Sequence, residues 1–553
     1  MNALTALRAY ARGPWLDDLV AAAVVSVLLI PQSLAYALLA GLPAEAGLYA
    51  SLLPLLAYAL FGSSPYLGVG PVAIVALMVA QTTGAAPAGY SPGQVAVVLA
   101  AETGLLMALA AALRLDALAA LMSVPVLHGF ETGATLAIAM SQLPTLLGSP
   151  AQGSELPAVL ASAAGSGWDW HAPTLGFGLA AVVLLLLGRR LMKGLWGRLA
   201  PLLVLLLTLG AAWLLQAQGQ GVRLIGTLPP LHLHLIAPPL DAALWLALLP
   251  GALLIALISY VSSLVVAEAL ARRRGERVDA RRELAGLAAA NVAAAFSAGL
   301  PVAGSFSRSA LLYDAGSRTR MSSVMAAVLM GAAALSLAPA LAWLPRSVLA
   351  ATILVAVLSG LQWRPYVEAW RYARAEGLLM LAVTLLVLNV SVAAALGLGV
   401  LGSIALLLQR TARPHVALVG RVRGTEHYRN VDRHDVECLP EVMGLRIDES
   451  LLFTNARSLA DVVQAQLAQH PGTRRVVLQM SPVNGIDYSG LEALRELHDG
   501  LARQGRRLDL SELKGPVLDR LRAAQWERWF RGRVHLSHHQ GMTADQAEDW
   551  ISP

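Results

Sequence analysis

Apolar runs of membrane-spanning length follow one another along the chain, separated by short polar breaks, until about residue 408. They lie at about 17–40, 44–62, 93–113, 118–148, 174–188, 199–216, 240–270, 283–299, 321–340, 347–361, 377–391 and 393–409. A helix rises 1.5 Å per residue, so about 20 apolar residues cross a hydrocarbon core. Two further runs, about 71–83 and 305–314, are too short to cross fully, and each follows a Gly/Pro break. The pattern predicts fourteen helical segments, two of them of half length. Beyond these runs it changes character. Glu441–Ile447, Arg475–Met480 and Arg507–Leu510 read as strands, and Asn455–Gln469 and a stretch from Asp487 to about Gln504 read as helices. Such alternation predicts an α/β domain over 436–553, joined through a linker at 416–435 to a transmembrane domain at 1–415.

Basic residues give the segments sides. Arg189, Arg190, Lys193 and Arg198 lie in one loop, and Arg272, Arg273, Arg274, Arg277, Arg281 and Arg282 in another. Arg318 and Arg320 follow the second short run, Arg364, Arg371 and Arg374 occupy 362–376, and Arg410 and Arg413 close the series. Loops 84–92 and 150–172 have no Lys or Arg. With fourteen segments and the N-terminus inside, every loop with two or more basic residues falls on the cytoplasmic side. Dropping either short run spoils the alternation. Fourteen divides into seven plus seven, and an odd number per half inverts the second half. The short runs are third and tenth, equivalent places in an inverted repeat, which is where carriers place their substrate site. The C-terminal domain is then expected to be cytoplasmic and the protein multi-pass in the plasma membrane.

Composition agrees. The chain is 56% hydrophobic and 14% charged, against roughly 25% charged in soluble domains. Its net charge of +6 arises largely from loop arginines and is no nucleic-acid footprint. One cysteine, Cys438, excludes an internal disulfide and fits a reduced compartment. The tail has neither a P-loop nor metal-ligand spacing, so no cofactor or enzymatic role is expected.

The candidate chemistry gathers at the short runs. The first opens Val69-Gly70-Pro71-Val72-Ala73, the second Gly304-Ser305-Phe306-Ser307-Arg308. A guanidinium at membrane depth is costly unless it is paired or faces a watery cavity. If the two helix N-termini converge, their free N–H groups and dipoles offer an anion site, supplemented by the Ser305 and Ser307 hydroxyls and the Arg308 field. The alternative for Arg308 is pairing with a buried carboxylate or freed carbonyls. In the long run at 17–40, Gln32 and Tyr36 share a helix face, as oxyanion donor and pocket wall or as helix–helix contacts. Glu102, Glu131, His128 and Glu268 are the intramembrane candidates for coupling. His128 and Glu131 stand i, i+3 and can share a proton, whereas Glu268 and Arg272 read equally as an interfacial salt bridge. Asp487 or Ser489 can cap the helix that follows.

These motifs resemble the sulfate permease family. The matching stretches are Ile30–Pro43 with Gly47-Leu48-Tyr49, Gly70–Ala73, Gly129-Phe130 with Thr132-Gly133, Ser141-Gln142-Leu143, Gly304–Ser309, and Ala315–Thr319. The resemblance runs from about residue 14 to the C-terminus and implies core and gate domains, an anion site between segments one, three, eight and ten, and a C-terminal STAS domain. It places Gln32, Tyr36, Val72, Ser307 and Arg308 at the site; Ala73, Ser262, Ser305 and Phe306 are further substrate-binding candidates. Many members carry an acidic residue in segment eight, where this chain has Ser262. Glu131 occupies a usually neutral place. The serine corresponding to Ser489 is phosphorylated in soluble relatives, which marks a regulatory candidate. Family members are commonly dimeric.

The function expected is secondary active transport of small inorganic anions, sulfate above all, by proton symport and alternating access. Sodium-coupled bicarbonate or C4-dicarboxylate transport is the alternative on the same fold. An anion channel, or a sensor signalling to a soluble partner through its tail, is the alternative of another class.

Overall fold

The structure is a computed structural model that describes residues 13–544 except 14, 85, 116–121, 150–155, 167–169, 193, 228–234 and 413. The chain forms two compact units, Met1–Ser403 and Ile404–Pro553.

In the first unit the leading helices are α1 (Trp15–Leu39), α2 (Ala44–Tyr49) and α3 (Leu53–Phe61). Strand β1 (Val69–Gly70) and the short α4 (Ala73–Gly84) follow, then α5 (Pro92–Ala112) and α6 (Val124–Leu147). Next come α7 (Leu156–Ser166), α8 (Ala172–Leu191), α9 (Gly194–Leu214), α10 (Ala242–Arg273) and α11 (Ala280–Phe296). Strand β2 (Ala303–Gly304) leads into α12 (Phe306–Asp314), followed by α13 (Met321–Leu341), α14 (Arg346–Leu358), α15 (Arg364–Tyr372), α16 (Arg374–Asn389) and α17 (Val392–Ala412). Every apolar run expected from the sequence contains helix. Among the described residues, six spans are long and apolar enough to cross a membrane, and Ala73–Gly84, Ala200–Leu214, Met321–Ser336 and Arg346–Leu358 are shorter apolar helices.

Three expectations change. The second run is two helices, broken at residues 50–52. Residues 150–172, expected as a loop, contain α7. The basic loop 362–376 contains α15, which starts on Pro365 in its first turn, where a missing N–H costs nothing. The sequence from Arg364 to Tyr372 is too polar to have registered as a spanning run.

Small residues bring the helices together. A Cβ on Gly129 or Gly133 of α6 would lie 2.4 Å from the Met380 carbonyl oxygen or 2.8 Å from Val387 Cβ of α16. Gly104 of α5 faces Val292 of α11 in the same way, at 2.7 Å. Such contacts let backbones approach where no hydrophobic effect separates helix from lipid. Two sets emerge: α1, α3–α5 and α10–α13 pack on one another, as do α6, α8, α9, α14 and α16, and α1 touches α9 and α14 of the second set.

The second unit holds a six-stranded sheet in the order β4-β3-β5-β6-β7-β8: β3 (Val416–Arg421), β4 (Tyr428–Asn430), β5 (Val442–Ile447), β6 (Arg475–Gln479), β7 (Arg507–Ser511) and β8 (Val534–His535). Strand β3 runs antiparallel to β4 and β5, while β5 to β8 are parallel. Helices α18 (Ala456–Gln469), α19 (Tyr488–Arg503), α20 (Gly515–Ala523) and α21 (His538–Thr543) complete it. Residues 416–435, expected as a linker, supply β3 and β4. β4 has only three residues and pairs with β3, which in turn pairs with β5, so both strands depend on partners outside the stretch itself.

His538 on α21 is buried, with Nδ1 2.8 Å from Ser511 Oγ on β7. Burial pushes it down to about 4, against the pull of Glu512. A histidine so depressed contributes its stability above its ordinary value near 6.5 and loses it as pH falls toward 4. The loss is about 2 kcal/mol by pH 5. Hydrogen exchange of the intact protein should therefore show β6 and β7 amides opening roughly 20-fold more often at pH 5 than at pH 7, after correction for intrinsic rates. His538→Leu should flatten that dependence, and an unaltered profile in the variant would assign it elsewhere.

Candidate functional site

The two half-length helices are joined at their starts. Val69 pairs with Gly304 and Gly70 with Ala303 in an antiparallel bridge, so α4 and α12 begin from the same two-stranded element. Further bonds pin it. Ser305 N–H donates to the Gly68 carbonyl at 3.1 Å, and Gly68 N–H donates to Ser309 Oγ at 2.9 Å. Gly304 N–H donates to Ser263 Oγ of α10 at 2.8 Å. Asn291 of α11 accepts from Val302 N–H at 2.9 Å and donates to the Val302 carbonyl at 3.0 Å. An irregular backbone inside a bilayer survives only where protein groups satisfy it, and these side chains do so.

Arg308 is 1% exposed. Its Nη1 donates to the Pro71 carbonyl at 2.7 Å and its Nε to the Gly68 carbonyl at 3.4 Å, while Nη2 has no hydrogen-bond partner among the described residues. The guanidinium thus binds carbonyls freed where the chain enters α4. A Cβ on Gly70, whose φ is +156°, would lie 3.4 Å from Nη2 and from Leu29 Cδ1. That position needs glycine, both for its backbone and because the guanidinium and α1 close on it. Of the two sequence readings of Arg308, pairing with freed carbonyls is realised, and its charge stays at the junction.

The surrounding groups suit an anion. The first N–H groups of α12 receive no side-chain cap, because Ser305 Oγ instead lies 3.1 Å from Ser307 Oγ. Val72, before α4, has no polar side chain to offer. The helix starts therefore keep free donors and positive dipole ends. Ser307 and Phe306 are exposed, and Ser305, Val72 and Ala73 half-buried. Tyr36 is buried on α1 within electrostatic reach of Arg308, and Gln32 Oε1, one turn earlier, is buried without a hydrogen-bond partner among the described residues. Ser262 is half-buried with its hydroxyl 3.5 Å from the Ser259 carbonyl, next to Ser263, which holds Gly304.

The coupling candidates scatter. Glu268 pairs with Arg272 at 3.4 Å, the interfacial ion pair. His128 Nδ1 and Glu131 Oε2 lie 3.7 Å apart with both side chains partly exposed. Glu102 of α5 differs: it is 3% exposed, and its Oε2 has no hydrogen-bond partner among the described residues. A charged carboxylate so placed is strongly disfavoured, and proton binding removes the charge. In the second unit Asp487 caps α19 by accepting from Gly490 N–H at 2.8 Å, so Ser489 is no cap and its side chain is exposed.

Sequence reading missed two buried carboxylates that hold the segments flanking the half-helices. Asp18 of α1 accepts from the N–H groups of Arg318 and Thr319, at 2.8 and 3.0 Å, just past α12. Glu283 of α11 is fully buried and accepts from Tyr58 Oη at 2.7 Å and from Ser63 Oγ and Ser64 N–H, each at 2.6 Å. Their signal was a carboxylate at the edge of an apolar run, which also describes ordinary loop residues.

A polytopic helical membrane protein with opposed half-helices sharing one backbone bridge, carrying a separate α/β domain, has the architecture of a membrane transporter. The chain belongs to the sulfate permease family, whose model matches residues 16–383, and the STAS domain model matches residues 433–541. It is an anion transporter and not an enzyme. A protein described as a probable sulfate transporter from Mycobacterium tuberculosis is 34% identical over 524 residues, covering 92% of this chain and 91% of that one. The fold is similar to the murine Slc26a9 anion transporter in its inward-facing state, with TM-score 0.86 and 20% identity over 96% of this chain and 92% of that one. The transmembrane domain of the cyanobacterial bicarbonate transporter BicA aligns with TM-score 0.60 and 20% identity, covering 71% of this chain and 97% of that one.

Proposed function

We propose that this protein is a secondary active carrier of small inorganic oxyanions, sulfate above all, coupled to protons and working by alternating access. The observation that carries the reading is the Val69-Gly70 bridge to Ala303-Gly304, because it sets the starts of α4 and α12 side by side with Arg308 between them. The substrate would lie on the free N–H groups of both helices and the Ser305 and Ser307 hydroxyls, with Phe306, Val72, Ala73, Gln32, Tyr36 and Ser262 around it. Arg308 supplies field while bound to the backbone. Fourteen crossings as an inverted repeat in the plasma membrane, with N-terminus and STAS domain cytoplasmic, follow from the arginine-bearing loops. The sulfate-transporter relatives support the substrate. The fold likeness to a bicarbonate transporter supports the second reading, bicarbonate on the same site.

Glu102 is the coupling residue in this reading, in preference to the partly exposed Glu131 and His128. Proteoliposome uptake across sulfate, bicarbonate and C4-dicarboxylates, with imposed proton or sodium gradients, tests it. Wild-type sulfate uptake should rise with an inward proton gradient and ignore sodium. Glu102→Gln should bind sulfate and lose that response by about tenfold, the size of a typical coupling energy. Uptake indifferent to the proton gradient would remove symport, and a gradient response intact in Glu102→Gln would acquit that carboxyl.

A further inference from the structure

The second unit carries a cationic cleft lined by none of the residues of the transport junction. It lies at the ends of β3, β4 and β5, encloses about 360 Å³ and is lined by His415, Arg429, Asn430, Arg433, His434, Arg446 and Asp448. Its floor is an ion pair: Arg446 Nη2 is 2.9 Å from Asp448 Oδ2, and His415 Nδ1 is 2.9 Å from the same oxygen. Asp448, the one carboxylate in the lining, is therefore already shared between a guanidinium and an imidazole. Three lining arginines against one aspartate leave two net positive charges before either imidazole takes a proton. Arg429 donates only to the Tyr428 carbonyl, at 3.1 Å, and Arg433 forms no ion pair among the described residues.

The lip is built rather than loose. Asn430 Oδ1 accepts from Asp432 N–H at 2.8 Å, and its carbonyl accepts from Arg433 and His434 N–H at 3.2 and 3.1 Å. That turn fixes where the two side chains start. His415 stands three residues after Ala412, the end of α17, one of the helices long and apolar enough to cross the membrane.

We propose that this cleft binds a phosphate group, presented by an anionic lipid headgroup or as a free phosphate ion. Guanidinium forks match a tetrahedral oxyanion, and clustered basic side chains draw phosphate whether it is free or carried by an anionic lipid. The site is separate from the transport junction and holds whether the carrier prefers sulfate or bicarbonate.

The test uses the full chain in nanodiscs and follows hydrogen exchange at residues 428–434. Three conditions are compared: phosphatidylcholine alone, phosphatidylcholine with inorganic phosphate, and phosphatidylcholine mixed with phosphatidic acid. Protection should rise about tenfold in at least one of the latter two. A rise with phosphatidic acid alone assigns the lipid, and one with inorganic phosphate assigns the free ion. The double variant Arg429→Gln/Arg433→Gln should abolish it, whereas Arg423→Gln, outside the cleft, should keep it. Both mutated side chains are exposed, so exchange in β6 and β7 should be unchanged and report an intact domain. No rise in either condition, or a rise that survives the double variant, overturns the proposal.

Discussion

Replacing Arg308 by alanine should lower anion uptake by at least about 100-fold. Two losses combine. A unit charge about 5 Å from a bound anion contributes about 3 kcal/mol at an effective dielectric near 20. The Pro71 carbonyl also loses its 2.7 Å donor, and the Gly68 carbonyl keeps only the Ser305 N–H. A buried carbonyl left unpaired costs about 1–3 kcal/mol, so the bridge between α4 and α12 should loosen as well. Arg308→Lys separates the contributions. An ammonium keeps the charge but cannot present a guanidinium's planar fork, so binding should fall less than in the alanine variant while the melting temperature falls in both. The check is equilibrium sulfate binding to purified protein together with thermal unfolding. Alanine protein that folds and binds with wild-type affinity would show that the charge plays no part.

Much of this junction was legible because it breaks a strong rule. Half-length runs, Gly/Pro before each and an arginine within an apolar background are anomalies, and in the sequence reading the arginine-bearing loops make them the third and tenth of fourteen segments. What stayed illegible is how each polar group is satisfied. Arg308 could have faced an anion or a carbonyl, and no spacing distinguishes the two. The split at residues 50–52 and the helix α15 lie below the resolution of hydropathy, since one interrupts an apolar run and the other is polar. Strands β3 and β4 escaped the sequence reading because β4 has three residues and β3 pairs with β5, which lies beyond it in sequence. Glu102 was visible as a carboxylate in an apolar run, but that its buried Oε2 has no hydrogen-bond partner among the described residues, which sets it apart from Glu131 and Glu268, is a tertiary fact.

Asn291 illustrates the same point and carries the last prediction. In the sequence it is one amide in the alanine-rich stretch Ala288–Ala295. In the fold it is fully buried and copies a strand neighbour: its carbonyl accepts from Val302 N–H while its amide donates to the Val302 and Leu287 carbonyls. Val302 immediately precedes β2, so this side chain stands in for the ladder that a two-residue strand is too short to make. Asn291→Leu preserves volume but strands the Val302 N–H and C=O in an apolar interior. Each orphaned group costs about 1–3 kcal/mol, a large part of the stability available to any fold. The variant should lose most of its folded yield, and the fraction that folds should transport at least ~10-fold more slowly because α12 is no longer held in register. Asn291→Asp is the sharper probe. A carboxylate can accept from Val302 N–H yet cannot donate to its carbonyl, and burial of its charge adds a further cost. It should therefore be no better tolerated than leucine, although it differs from asparagine by a single group. Folded yield by size-exclusion chromatography and sulfate uptake per folded molecule decide the matter. Wild-type values in both variants would mean that the junction is held by Ser263, Ser309 and Arg308 without Asn291.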